Sequence, residues 1–208
     1  LGVNGAGKTT TLRILATLLK PNGGSAVIDG ADVLREPKAV RAKVGFLSTA
    51  TALYGRLTAQ EMVEYFGRLN GLSEALLRER IDRLFARLEM DEFRHGRCDK
   101  LSTGQKQRVS IARTLVHDPQ VMIFDEPTNG LDVLAARTIV QFIRECREQG
   151  KTVIFSSHVM SEVARLCDRI AIIHHGRMCV TGTVGELREH FGLDGLEEVF
   201  VRAVEDMA

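Results

Sequence analysis

The 208-residue sequence lacks an apolar run that could cross a membrane. Its longest uninterrupted ones, Val121 to Phe124 and Ile170 to Ile173, fall far short of the ~20 residues a spanning helix needs. If the chain acts at a membrane, another chain spans it. It also lacks an excess of one charge: 28 basic against 27 acidic side chains leave +1. Bulk attraction to nucleic acid or anionic lipid therefore has no basis, and no nucleic-acid partner is expected. Cys98, Cys146, Cys167 and Cys179 show no CxxC or other metal-ligand spacing, and no signal peptide precedes them, which favours reduced thiols in the cytosol. Low-complexity segments and internal repeats are missing too.

What is present is a chain of one-domain length whose 44% apolar residues can fill a core. Gly2-Val3-Asn4-Gly5-Ala6-Gly7-Lys8-Thr9 matches the phosphate-binding pattern G-x-x-x-x-G-K-[ST] at every fixed position. Glycine lets the backbone turn tightly and aim amide N–H groups at a polyphosphate, where a Cβ would block the approach. Lys8 supplies a cation to the β- and γ-phosphates, and Thr9 offers a hydroxyl to Mg²⁺. The helix expected from Thr10 to Leu19 points its positive end at the same anion. Such a loop is launched from the end of a buried strand, of which only Leu1 is present. Early strands of the sheet are therefore expected to be missing.

Further along, Pro21 to Gly24 reads as a turn, Ser25 to Ile28 as a short strand and Pro37 to Ala42 as a helical piece. Val44 to Leu47 reads as a buried strand of an open parallel sheet, which makes Ser48 and Thr49 candidate site residues. Thr58 and Glu61 have capping-box spacing, and a second helix is expected near Ser73. In that helix Leu77, Ile81, Leu84 and Leu88 recur at helical spacing, and Arg80, Arg83 and Arg87 share another face, read as solvated. Val121 to Glu126 is an apolar strand ending in two carboxylates. Val133 to Gln149 is a helix stopped by Gly150, and Thr152 to Ser156 is the next strand. Residues 161–167 should be helical, and strands 169–173 and 177–180 should pair around His174-His175-Gly176. Neighbours on a strand face opposite ways, so these two histidines are poor joint ligands. Thr183 and Glu186 form another capping-box pattern, opening a helical tail.

Leu101-Ser102-Thr103-Gly104-Gln105-Lys106-Gln107-Arg108 narrows the field. Ser102 and Gln105 are themselves spaced as a capping box, which places a helix N-terminus, an anion-seeking end, beside Gly104. The stretch resembles the signature motif of ABC ATPases. The motif order agrees across nearly the whole chain: phosphate loop, helical insertion, signature, Asp125-Glu126, the loop Pro127 to Asp132, and Ser157-His158. Leu53 to Thr58 and Leu196 to Phe200 look most like the ATPase subunits of bacterial drug or sodium exporters.

The resemblance implies an α/β fold, a P-loop NTPase core with a mostly parallel sheet, and an inserted α-helical subdomain at 50–116 that includes the signature. A C-terminal helical tail at 183–208 completes one incomplete ABC domain over 1–208. It implies ATP bound by Asn4, Gly5, Ala6, Gly7, Lys8, Thr9 and Thr10, with Mg²⁺ on Thr9 and, through water, Asp125. Glu126 would polarise the attacking water, and His158 would bind the γ-phosphate. Ser102, Thr103, Gly104 and Gln105 would act in trans on the ATP of a second subunit, identical or a sister, and Asp132 would reach across that dimer. The implied partner is a membrane permease, docked near Thr49 to Met62, and the implied location is the cytoplasmic face of the cell membrane. A soluble ABC protein of non-transport function and an ATP-binding regulatory module with little turnover are the alternatives.

Two residues depart from the pattern. Thr49 stands where the family usually has the Q-loop glutamine, and a shorter hydroxyl reaches less far, so weaker coupling to the permease is expected. Thr103 replaces a glycine of the signature, which should tune rather than abolish its role. Nothing is assignable to stacking on adenine, since Tyr54 and Tyr65 lie in or beside the helical insertion.

Overall fold

The computed structural model describes residues 1–48 and 52–207. They form two compact units, Ile14–Phe155, and Leu1–Arg13 together with Ser156–Ala208. Helix α1 (Lys8–Leu15) starts at the loop lysine itself. It ends at Leu15 instead of the expected Leu19 because Thr17 adopts a left-handed backbone (φ 60), which leaves Leu18 and Leu19 exposed.

In the larger unit, β1 (Val27–Ile28) and β2 (Ala31–Asp32) form a hairpin, shorter than the strand expected from Ser25. Helix α2 (Pro37–Lys43) then leads into β3 (Val44–Leu47). Pro37 suits the first turn of a helix, where its missing N–H has no partner to lose. Strand β3 pairs in parallel with β4 (Val121–Asp125), Val44 opposite Val121 through Leu47 opposite Phe124. Strand β5 (Thr152–Ser156) lies on the other side of β4. All five residues of β4 are buried, as a central parallel strand requires.

Among the described residues this unit also holds the α-helices α3 (Ala59–Leu69), α4 (Glu74–Arg87), α5 (Thr103–Leu115) and α6 (Val133–Glu148). The Thr58/Glu61 capping box forms in both directions, and Ser73 caps α4 through the Leu76 N–H. Leu77, Ile81, Leu84 and Phe85 form the buried face of α4, each contributing about 1.5–3 kcal/mol. Gly67 lets α3 approach: a Cβ there would lie 2.2 Å from Leu77 Cδ1.

The arginine face of α4 is not a solvated stripe. Arg80 Nη1 donates to Val116 O at 3.2 Å. Arg87 donates to Glu145 Oε2 at 3.1 Å and lies 4.8 Å from the Phe142 ring centre. Both side chains are only 21% exposed, and together they tie α4 to the end of α5 and to α6. Arg83 alone stays in solvent, paired with Glu79. Helical spacing puts the three on one face but cannot say that α6 covers part of it.

In the smaller unit, α7 (Met160–Leu166) precedes the antiparallel pair β6 (Ile170–His174) and β7 (Arg177–Gly182). Thr183 and Glu186 form the expected capping box at α8 (Val184–Phe191), and α9 (Leu196–Glu205) buries Leu196, Val199 and Ala203. Leu1 runs beside β6 with parallel-type bonding, its N–H on Ala171 O and its carbonyl accepting from Ile173 N–H, both at 2.8 Å. The histidines do not face apart as strand alternation predicts. His175 has φ 45, which turns its ring to 4.1 Å from that of His174. The hairpin turn overrides the two-residue period there.

Candidate functional site

The phosphate loop folds on itself around Lys8. Lys8 is 7% exposed, and its ammonium donates to Gly2 O at 2.7 Å and Val3 O at 3.1 Å, so the cation is tied to the carbonyls at the start of its own loop. Gly5 and Gly7 take φ 78 and 107, values that glycine reaches without a Cβ penalty. The hairpin turn of β6 and β7 buttresses the loop from behind: Gly176 N–H donates to Ala6 O at 2.9 Å. Its Cα lies 3.4 Å from where a Gly7 Cβ would be. Thr11 Oγ1 closes onto Gly7 O at 3.0 Å. Asn4 and Thr10 are exposed and Thr9 is half-buried, so polar groups reach solvent at the start of α1. His158 belongs to the same unit, exposed in the loop after β5, where Ser157 Oγ accepts from Val159 N–H at 2.9 Å.

In the other unit the carboxylates follow β4. Asp125 is 2% exposed at the strand end. Glu126, half-buried, turns the chain with φ 49, a left-handed geometry that costs an L-residue about 1–2 kcal/mol. Two bonds from Asn129 close the turn: its N–H donates to Glu126 O at 3.2 Å and its Nδ2 to Glu126 Oε2 at 3.1 Å. A third arrives from α5, where Gln107 Nε2 donates to Pro127 O at 2.8 Å.

The signature opens α5 as its spacing requires. Ser102 Oγ accepts from Gln105 N–H, and Gln105 Oε1 accepts from Ser102 N–H at 2.9 Å. Ser102 and Thr103 are exposed, so the helix start faces outward with its box complete. A Cβ on Gly104 would lie 3.0 Å from Ala135 Cβ, so glycine lets α5 pack closely on α6. Asp132 is the N-cap of α6, its Oδ1 accepting from Leu134 and Ala135 N–H at 3.0 and 2.9 Å. The next residues, Val133 and Leu134, are 83% and 74% exposed.

Thr49 lies outside the described residues. Phosphate loop and His158 gather in one unit, and Asp125, Glu126, Asp132 and the signature in the other. Gln107 and Asn129 stand inside motifs readable in the sequence, but their contacts were not: Asn129 bonds within its own turn, three residues back, and no local pattern announces that Gln107 bonds to a turn twenty residues away.

Beside Tyr65, Leu57, Glu61, Glu64, Arg68 and Leu69 line a shallow cavity of about 440 Å³ on α3. Tyr54 packs edge-on against Tyr65 with ring centres 5.8 Å apart. Among the described residues no helix is long and apolar enough to cross a membrane.

Comparison with known proteins identifies the family. The ABC transporter family model matches residues 1–129, and an AAA-domain model matches residues 97–164. The chain is 42% identical over 97% of its length to the ABC transporter ATP-binding protein NatA of Bacillus subtilis, of which it covers 82%. It is 38% identical over 92% of its length to the daunorubicin/doxorubicin resistance ATP-binding protein DrrA of Streptomyces peucetius, of which it covers 58%. A dimeric post-hydrolysis state of the ATP-binding cassette MJ0796, bound to ADP and Pi, superposes with a TM-score of 0.79 at 30% identity, covering 88% of this chain and 82% of that one. A Lys8-centred phosphate loop, an acidic turn after a buried strand and a capped signature helix thus coincide with relatedness over nearly the full length, and the chain belongs to the ABC transporter family as an ATP-binding subunit that hydrolyses ATP to drive transport.

Proposed function

We propose that the chain powers an export-type permease on the cytoplasmic face of a membrane through ATP-dependent closure of an ATPase dimer. The outward-facing N-terminus of α5 carries this reading. Its capping box satisfies the local donors while Ser102, Thr103, Gly104 and Gln105 remain at a solvent-facing positive helix end, a surface suited to the γ-phosphate held by a second subunit. The resistance protein among the relatives supports export as the direction. The dimeric cassette supports a paired mechanism. We assign residues 50–116 to the helical subdomain that meets the permease, with the Tyr54, Tyr65 and Leu69 surface as its contact, and residues 183–208 to a helical tail.

The phosphates bind to the loop from Asn4 to Thr10, with Lys8 released from the loop carbonyls onto the β- and γ-phosphates. The donor set fits Mg²⁺, a hard cation that prefers oxygen: the Thr9 hydroxyl and the buried Asp125 carboxylate, the latter through water. When bound, Mg²⁺ neutralises charge developing on the transferred phosphoryl group. Glu126 accepts a proton from the attacking water, His158 steadies the γ-phosphate, and Asp132 faces the opposite subunit. Thr49 in the Q-loop position weakens the link between nucleotide and permease.

The test is Glu126→Gln in the full-length protein. Turnover should fall by about 10²–10⁴, and light scattering should show a dimer that forms with Mg-ATP and is absent without it. A variant that binds ATP yet stays monomeric would remove the paired mechanism and leave a regulatory ATP-binding module.

A further inference from the structure

A strained turn is only as well placed as what holds it. The bonds that Asn129 makes to Glu126 close the turn from within, and Leu131 N–H adds another local bond to Thr128 O. Such bonds fix the shape of the turn but not its position relative to the rest of the molecule. The bond from Gln107 does that: Nε2 reaches the buried Pro127 at its carbonyl, 2.8 Å away, from a different element. Gln107 lies five residues beyond the N-cap Ser102 on one unbroken helix, a span of about 7.5 Å along the axis. The same helix start is seated closely on α6 through Gly104 and Ala135. One helix thus joins the exposed signature end to the carbonyl that follows Glu126.

We propose that Gln107 is a positioning residue for ATP hydrolysis. Its amide sets the aim of the Glu126 carboxylate of the same chain and makes that aim depend on the seating of the signature helix. The proposal rests on the assignment of Glu126 as the base. Its consequence concerns communication between sites. When the signature end of one subunit engages the ATP of its partner, Gln107 carries that engagement to the base serving its own ATP.

Steady-state hydrolysis of Mg-ATP by the full-length protein separates a donor role from simple packing. Gln107→Met keeps the length of the side chain and removes the donor, whereas Gln107→Lys restores a donor of similar reach. The expected result for Gln107→Met is a kcat about tenfold lower with KM for ATP within about threefold of the parent, and for Gln107→Lys a kcat within about threefold of the parent. If Gln107→Met does not fold, Gln107→Asn, whose amide is one methylene short, replaces it under the same expectation. A kcat for the Met or Asn variant within about twofold of the parent overturns the proposal, and so does a Lys variant as slow as the Met variant. Glu126→Gln is run alongside. If it keeps parental turnover, the base assignment itself is wrong; if it is inactive while Gln107→Met is unaffected, only the positioning role falls.

Discussion

The phosphate loop and the turn at Glu126 both require left-handed backbone, and they obtain it in opposite ways. In the loop, Gly5 and Gly7 carry the positive φ values, so the conformation is written into the sequence at the position where it occurs and costs little strain. At the turn, a glutamate carries φ 49; under the proposed role of Glu126 as the base, glycine there would delete the carboxylate. The strain is offset by side chains from Asn129 and Gln107. A site that only binds can use a backbone with no side chain. A site that moves a proton must keep its side chain and be held from elsewhere.

The largest effect that can break this comparison is at Gly7. Alanine at φ 107 is strained whatever the space available, and its Cβ would only touch Gly176 at an ordinary 3.4 Å. Gly7→Ala should weaken binding of a fluorescent ATP analogue at least about tenfold. Gly5→Ala, at φ 78 with open space around it, should cost about 1–2 kcal/mol or less. Equal affinities for the two variants would mean that the more extreme φ at Gly7 does not govern the shape of the loop.

The same contrast explains how much the sequence discloses. The glycine pattern, the three capping boxes at Thr58, Ser102 and Thr183, and the apolar run of β4 are local statements, and each appears in the structure where its spacing puts it. The early end of α1 at Leu15 was hidden, since Thr17 has no residue-type preference for the left-handed region that stops the helix. Arg80 and Arg87 look like solvated charges until α6 and the end of α5 are known to lie against them. His174 and His175 obey strand alternation in the sequence and break it at a turn whose geometry belongs to the hairpin. Within the site, the loop and the signature were legible, and the supports of Glu126 were not. A bond from Gln107 to Pro127 exists only after α5 has packed against the chain that follows β4.

A smaller effect sharpens the comparison at the turn. Asn129→Ala removes the bond to Glu126 Oε2 while leaving the backbone bond in place, and a single neutral donor of this kind is worth about 0.5–1.5 kcal/mol. A kcat reduced a few-fold, with ATP affinity unaltered, is expected from steady-state kinetics. A change in affinity without a change in kcat would show that Asn129 serves nucleotide binding and that the turn needs no side-chain latch.

The smallest effect lies at the other end of α5. His117 follows its last turn, and neither ring nitrogen reaches full hydrogen-bond geometry. Burial pushes its pKa below the ordinary 6.5, with the backbone of Val44 opposing, and the charges around it are Arg80, Asp118 and Lys151. The unfolded chain binds this proton more readily than the folded one, so the stability linked to His117 is fully present above about 6.5 and is lost as pH falls through the lower folded value. Asp118 behaves in the same sense in a separate window. Burial raises its pKa, but the bond from Lys151 at 2.6 Å prevails and holds it below the ordinary 3.8, so its contribution is lost only in stronger acid. The thermal midpoint should therefore begin to drop as pH falls below about 6.5, and His117→Phe should flatten that part of the profile while leaving the steeper loss below about 3.8. If α5 is the rod that connects the signature to Glu126, loosening its far end by protonating His117 should also lower kcat before ATP binding by the glycine-built loop is touched. A loss of binding and turnover in parallel over that pH range would instead mean that His117 supports the whole fold and not this helix in particular.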